Sequence, residues 1–144
     1  MARAYYSTVF EQPAEQIWSI VRDFGNYAIW GEGCGESHIE EGKTGESVGA
    51  VRNIRNEKSV IRQRLLAQSD RERTQTYEFC EPLPFPIRNY EASIRVTPIT
   101  DSKRAFVEWW ASFDCEPGEY EHWTTFFSTS FAGWLEALRQ RVSQ

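Results

Sequence analysis

Residues 117–142 read Pro-Gly-Glu-Tyr-Glu-His-Trp-Thr-Thr-Phe-Phe-Ser-Thr-Ser-Phe-Ala-Gly-Trp-Leu-Glu-Ala-Leu-Arg-Gln-Arg-Val. After Pro117-Gly118, Tyr120, Trp123, Phe127, Phe131, Trp134, Leu138 and Val142 recur at steps of three and four, the spacing of one face of an α-helix. About 24 residues at roughly 1.5 Å each make a rod of about 36 Å. A strand of about ten residues at roughly 3.3 Å reaches about 33 Å. A helix of this length, with this aromatic stripe, can lie along the whole dry face of a sheet.

The residues before it supply that sheet. From Ser37 to Cys115 the period is two, with strand-like segments near 37–42, 48–55, 60–68, 73–81, 89–98 and 104–115. Their separations are short, which favours hairpins and an antiparallel meander. Tyr90, Ala92, Ile94 and Val96 share one face, and Val107, Trp109, Ala111 and Phe113 share another. The residues opposed to them include Glu91, Arg95, Glu108 and Trp110. Residues 3–10 add a first strand. Pro13 then opens a helix whose apolar positions are Ala14, Ile17, Trp18 and Val21, extending to about Phe24, where Asp23 caps or terminates it. Gly25-Asn26 stops it, and Asn26–Trp30 reads as a second short helix. The expected architecture is α+β: a curved seven-stranded antiparallel sheet gripping a long C-terminal helix, with one or two short helices after the first strand. No repeat or linker interrupts the chain, so residues 1–144 are expected to form one domain.

Composition narrows the function. The 144 residues carry a net charge of −5 with no basic cluster, which argues against a nucleic-acid or anionic-membrane partner. No apolar run approaches the roughly 18 residues a membrane span needs, and Met1-Ala2-Arg3 is not expected to open a signal peptide. Cys34, Cys80 and Cys115 are an odd, scattered set, the pattern of free thiols in a cytoplasmic protein. Nine Phe, six Tyr and six Trp are more rings than a core of this size needs. They line a ligand cavity, cover a subunit interface, or fill a core that favours rings. Trp110, directed outward, would mark a homodimer patch under the second reading.

The inward positions are not uniformly large or apolar. Ala50, Ala92 and Ala111 fall on the dry faces, and so do Arg52, between Ala50 and Ile54, and Gln63, between Ile61 and Leu65. Buried polar groups of this kind need partners in the protein, a ligand or water. The order and spacing of several pieces then resemble the START/Bet v 1-like (SRPBCC) helix-grip superfamily, in particular its polyketide cyclase/dehydrase-like branch. The pieces are Pro13–Trp18, Asp23–Tyr27 with Trp30, Val48–Arg52, Arg64–Leu66, Thr76–Phe79, Pro86–Tyr90 and Val107–Phe113. The resemblance spans nearly the whole chain and implies a hydrophobic cavity between sheet and terminal helix that holds a small apolar, aromatic or polyketide-like molecule. By position it places Ile61, Gln63, Tyr77, Phe79, Tyr90, Ala92, Trp109, Trp123, Phe127 and Phe131 on the cavity wall. Periodicity alone already turns Tyr90, Ala92, Trp109, Trp123, Phe127 and Phe131 inward. Relatives that sense hormones close two loops over the ligand. Here the loop at Asn56–Ser59 is short and lacks that gate sequence, whereas Leu83-Pro84-Phe85-Pro86-Ile87 has the character of a proline-stiffened flap.

Catalytic patterns are sparse. His38 and His122 lie in no metal-ligand spacing, His38 reading as an exposed residue and His122 as a residue of the first helical turn beside Trp123, with a place at the pocket rim as the lesser alternative. The cysteines lack zinc spacing, and neither a metal nor a cofactor is expected. Gly31-x-Gly33-x-Gly35 lacks the Lys-Ser/Thr ending of a phosphate loop and reads as a hinge. No Gly-x-Ser-x-Gly elbow occurs. Arg52 and Tyr77 are the candidate catalytic groups, able to polarise a carbonyl or stabilise an enolate. The alternative pairs Arg52 with a nearby carboxylate and bonds the tyrosines to backbone carbonyls.

Overall fold

In a computed structural model, which describes residues 1–30, 36–57 and 59–144, the chain runs β1 (Ala2–Phe10), α1 (Ala14–Val21), a 3-10 turn (Tyr27–Trp30), β2 (Glu36–Ile39), β3 (Val51–Arg55), β4 (Val60–Ser69), β5 (Thr74–Phe79), β6 (Arg88–Ile99), β7 (Arg104–Asp114) and α2 (Tyr120–Val142). All seven strands join one antiparallel sheet in the order β1-β7-β6-β5-β4-β3-β2. The expected helix-grip fold is therefore the observed one. The expected hinge at Gly31, Gly33 and Gly35, together with Cys34 and Lys58, lies outside the described residues.

Alternation builds the dry face of the sheet. Every inward residue read from β6 and β7 is buried, from Tyr90 to Val96 and from Val107 to Phe113. Ala14, Ile17, Trp18 and Val21 are the buried face of α1, as their spacing requires. Gln75, buried on β5, donates from Nε2 to the Val21 carbonyl (3.1 Å), so an unpaired C-terminal carbonyl of α1 is satisfied by the sheet. Trp18 Nε1–H and Arg22 both bond Asp70 on the β4–β5 turn, tying the end of the same helix to that turn.

Helix α2 covers the sheet for 23 residues. Its acidic first turn (Glu121) and basic last turn (Arg139, Arg141) complement the helix dipole. Arg139 donates to the Val9 carbonyl and to Thr8 Oγ1, both at 2.7 Å, and its guanidinium lies 4.6 Å from the centre of the Phe10 ring. The end of the helix is thus tied to the first strand.

The structure corrects several boundaries. The first helix ends at Val21 rather than near Phe24, because the Phe24 N–H turns away to the Gly45 carbonyl (3.3 Å). A side chain at Gly45 would meet Asp23 Oδ1 at 2.8 Å and the Gly25 nitrogen at 2.9 Å, so this crossing requires glycine. Asp23 accepts from the Gly25 N–H just beyond the helix, a terminating turn. The strand expected over 37–42 stops at Ile39. Glu40–Gly42 form a 3-10 turn with Glu41 at φ 60° and Gly42 at φ 67°. The strand expected over 48–55 starts only at Val51, because Gly49 takes φ 93° and the Ala50 N–H bonds back to Ser47. On α2 the buried line is Trp123, Phe127, Phe131, Leu135 and Leu138. Tyr120, expected inside, is exposed at the first helical position, and Leu135, absent from the expected stripe, is fully buried.

Candidate functional site

Strand register sets the floor of the site. One row of inward residues runs Ala4, Ala111, Ala92, Tyr77, Leu65 across β1, β7, β6, β5 and β4. Three consecutive alanines leave the middle of the sheet low. Large rings from the adjacent rows and from α2 fill the space above it. Trp109 stacks on Phe131 at 4.9 Å with an interplanar angle of 7°, and Trp30 packs at 4.8 Å on Trp109. Phe127 sits 5.0 Å from Tyr90 and 5.3 Å from Phe113. Each spacing lies within the range of favourable aromatic pairs. Tyr77, Tyr90, Ala92, Trp109, Phe127 and Phe131 are thereby gathered into one group.

Polar atoms enter this apolar group at two points. The Trp109 indole reaches across β6 and donates from Nε1 to the Tyr77 hydroxyl (3.2 Å), which also bonds Tyr90. Burial pushes the Tyr77 hydroxyl pKa up from its ordinary value. The Arg52 charge and the bonds to Trp109 and Tyr90 act in the opposite direction. Next to it stands Arg52, 3% exposed. Its Nε donates to Gln63 Oε1 (2.6 Å) across the β3–β4 register pair, and its Nη1 donates to the Phe24 carbonyl (3.2 Å). The guanidinium carbon lies 4.0 Å from the centre of the Phe24 ring and 5.0 Å from that of Tyr77. Two ring faces and two neutral oxygens offset part of the cost of burying this charge. A guanidinium and a phenol in a dry setting can orient or stabilise an oxygen that carries negative charge.

The remaining predicted residues lie toward the end of the sheet where β5 meets β6. Ile61 is half-buried opposite Ile54. Phe79, half-buried, stands 4.4 Å from Tyr90. Trp123, in the first turns of α2, bonds Glu119 through its indole N–H (3.1 Å) and packs edge-on against His122. Between Phe79 and Trp123 the Leu83–Ile87 segment inserts the ring of Phe85. A surface pocket of about 350 Å³ adjoins this segment, lined by Phe79, Leu83, Ile87 and Tyr90 together with the polar side chains of Glu78, Glu81, Arg88 and Asn89. His38 is exposed on β2, and among the described residues no group of three or more His, Cys, Asp or Glu is placed to hold a metal. Trp110 lies half-buried on the outer face with the Arg95 guanidinium 5.4 Å from its ring centre.

Residues 1–143 match the family described as polyketide cyclase / dehydrase and lipid transport. The chain belongs to that family. No curated protein sequence matches it. Among solved structures, this polyketide cyclase/dehydrase-type chain is similar to an uncharacterised protein of Bacillus thuringiensis (27% identity, TM-score 0.85), with 99% of this chain and 100% of the other covered. A protein of Thermobifida fusca is similar at 29% identity with a TM-score of 0.87, over 98% of this chain and 93% of the other. Norcoclaurine synthase from Thalictrum flavum shares the fold at 13% identity and a TM-score of 0.77, over 97% and 92%.

Three contributors went unnoticed as site residues in the sequence. Trp30 comes from a short connection with no period of its own, and Phe24, read as the tail of the first helix's apolar stripe, packs its ring on Arg52 and Tyr77 from beyond the helix end at Val21. Gln75, buried at 2% exposure, stands on β5 two residues before Tyr77 and shares its inward parity. That parity was the available signal.

Proposed function

We propose that the protein binds a small hydrophobic molecule, aromatic or polyketide-like, between the sheet and α2. Arg52, Gln63 and Tyr77 would orient its polar atoms, and Ile61, Phe79, Tyr90, Ala92, Trp109, Trp123, Phe127 and Phe131 would supply the apolar wall. The observation that carries this reading is a buried guanidinium and a buried phenol set among rings from two facing elements, the pairing of apolar wall and few polar groups typical of ligand sites. Family membership and a fold shared with norcoclaurine synthase, which has been seen with dopamine and hydroxybenzaldehyde, lend it support. Thermal unfolding against a panel of hydrophobic compounds tests it. A compound present at 100 times its Kd adds roughly 2.7 kcal/mol of stability, a rise of several degrees in Tm. A panel that leaves Tm unchanged would make the ring-lined interior purely structural.

A second reading, a cyclase, aromatase or dehydratase, is favoured by the placement of Arg52 5.0 Å from the Tyr77 ring, where an enolate oxygen would gain a positive charge and a proton donor. It predicts turnover of a poly-β-ketone that falls at least tenfold in Tyr77→Phe while the variant stays folded. Equal turnover in the two proteins would remove Tyr77 from the chemistry.

A further inference from the structure

Phe85 sits within an aromatic cage made by other parts of the chain. Its ring lies 5.9 Å from Phe79 on β5 and 5.4, 5.3 and 5.8 Å from Trp123, Phe126 and Phe127 on α2, each pair tilted or edge-on. Little backbone holds it there. The β5–β6 ladder ends at Glu78↔Glu91, before the segment begins. Pro82, Pro84 and Pro86 have no N–H to donate. The backbone bonds described for residues 81–87 are the Ile87 N–H to the Phe85 carbonyl, within the segment, and a 3.4 Å contact from Arg62 Nη1 to the Glu81 carbonyl. Buried Ile87 is the fixed end of the segment.

We propose that this cage is a binding subsite for a planar aromatic ring of the ligand and that Phe85 is its resident stand-in, leaving when the ligand ring enters. The assignment rests on the binding reading above and narrows it to ligands with at least one unsaturated ring, because four ring walls presenting edges and tilted faces favour another π-system over a saturated ring of equal size. Exchange of one ring for another keeps the cage filled in both states, so opening leaves no void between sheet and helix.

The test compares phenol with cyclohexanol, which match in size and hydroxyl but differ in aromaticity, on the full chain and on Phe85→Ala, with binding followed by NMR of the ring signals. Phe85→Ala should bind phenol at least tenfold more tightly than the wild type does, should prefer it over cyclohexanol, and should show the largest shifts at Phe79, Trp123 and Phe127. Phe85→Leu keeps the segment apolar but removes the ring, and serves if the alanine variant does not fold. No gain in a folded variant overturns the subsite. If a panel compound still raises the Tm of the wild type in that case, the binding reading stands without it. Equal gain for cyclohexanol overturns the aromatic preference. Failure of both variants to fold makes Phe85 a structural keystone and overturns the exchange. A panel ligand that binds the wild type without moving the Phe85 signals does so too.

Discussion

Tyr77 places a hydroxyl where it accepts from one indole and bonds a second phenol, with the Arg52 guanidinium 5.0 Å from its ring centre, all out of contact with water. Burial, the largest influence on it, raises its pKa above the usual value near 10. In the unfolded chain the same phenol ionises near pH 10, while the folded protein keeps the proton to higher pH. Its contribution to stability is therefore complete below about pH 10 and is lost as pH rises through the folded value. Ultraviolet titration should show a Tyr77 tyrosinate that appears only at higher pH or with unfolding, and Tyr77→Phe should lack it. Arg52 is the complementary case. Arg52→Met keeps the stem but strands Gln63 Oε1 and the Phe24 carbonyl, at a cost of roughly 1–3 kcal/mol in denaturant unfolding. Arg52→Lys should not restore it, because an ammonium cannot lie flat over two rings while reaching both oxygens. A Met variant as stable as the wild type would show that the cluster adds nothing to folding.

The strands and the long helix show what sequence alone could reveal. Alternation on β6 and β7 identified each inward residue, because a step of two leaves no ambiguity once one face is dry. The helix was legible in extent but not in its detailed facing. A step of three or four at Phe131 admits Trp134 or Leu135, and packing against the sheet selected Leu135 as the buried one. Connections were less legible. Glu40–Gly42 and Ser47–Ala50 turn through glycines at positive φ, and the resulting contacts, Glu40 with Arg62 and Gly49 with Leu65, join residues far apart in sequence. At this scale the alanine row is a sharp test. Ala92→Leu would put a branched side chain between Ala111 and Tyr77, on the strand that the Trp109–Tyr77 bond spans. Overpacking of this kind costs roughly 1–3 kcal/mol, and the shift in Trp109 fluorescence on folding should change with it. An unaltered spectrum and midpoint would mean that the floor has spare room.

Taken as a whole molecule, the site was half readable: the rings were visible in two periods, while the polar partners of Arg52 depended on how β3, β4 and the end of α1 meet. The outer face carries its own cluster. Glu40 accepts two bonds from Arg62, each 2.8 Å, and one of 3.0 Å from Asn53, and these hold its pKa down to about 2. The stability it supplies is present above the unfolded value near 4.5 and disappears as pH falls toward about 2. The wild type should therefore exceed Glu40→Gln in urea midpoint at pH 6, and the two should converge as the buffer is acidified to pH 2. A gap independent of pH would assign the effect to packing.

The sheet order places β1, the first strand made, beside β7, the last, with Arg139 clasping Thr8 and Val9 from the helix that follows. On the ribosome, β1 must wait unpaired until residues past Asp114 emerge from the exit tunnel. Until α2 follows, the ring-bearing face of the nascent sheet is open to solvent and to chaperones.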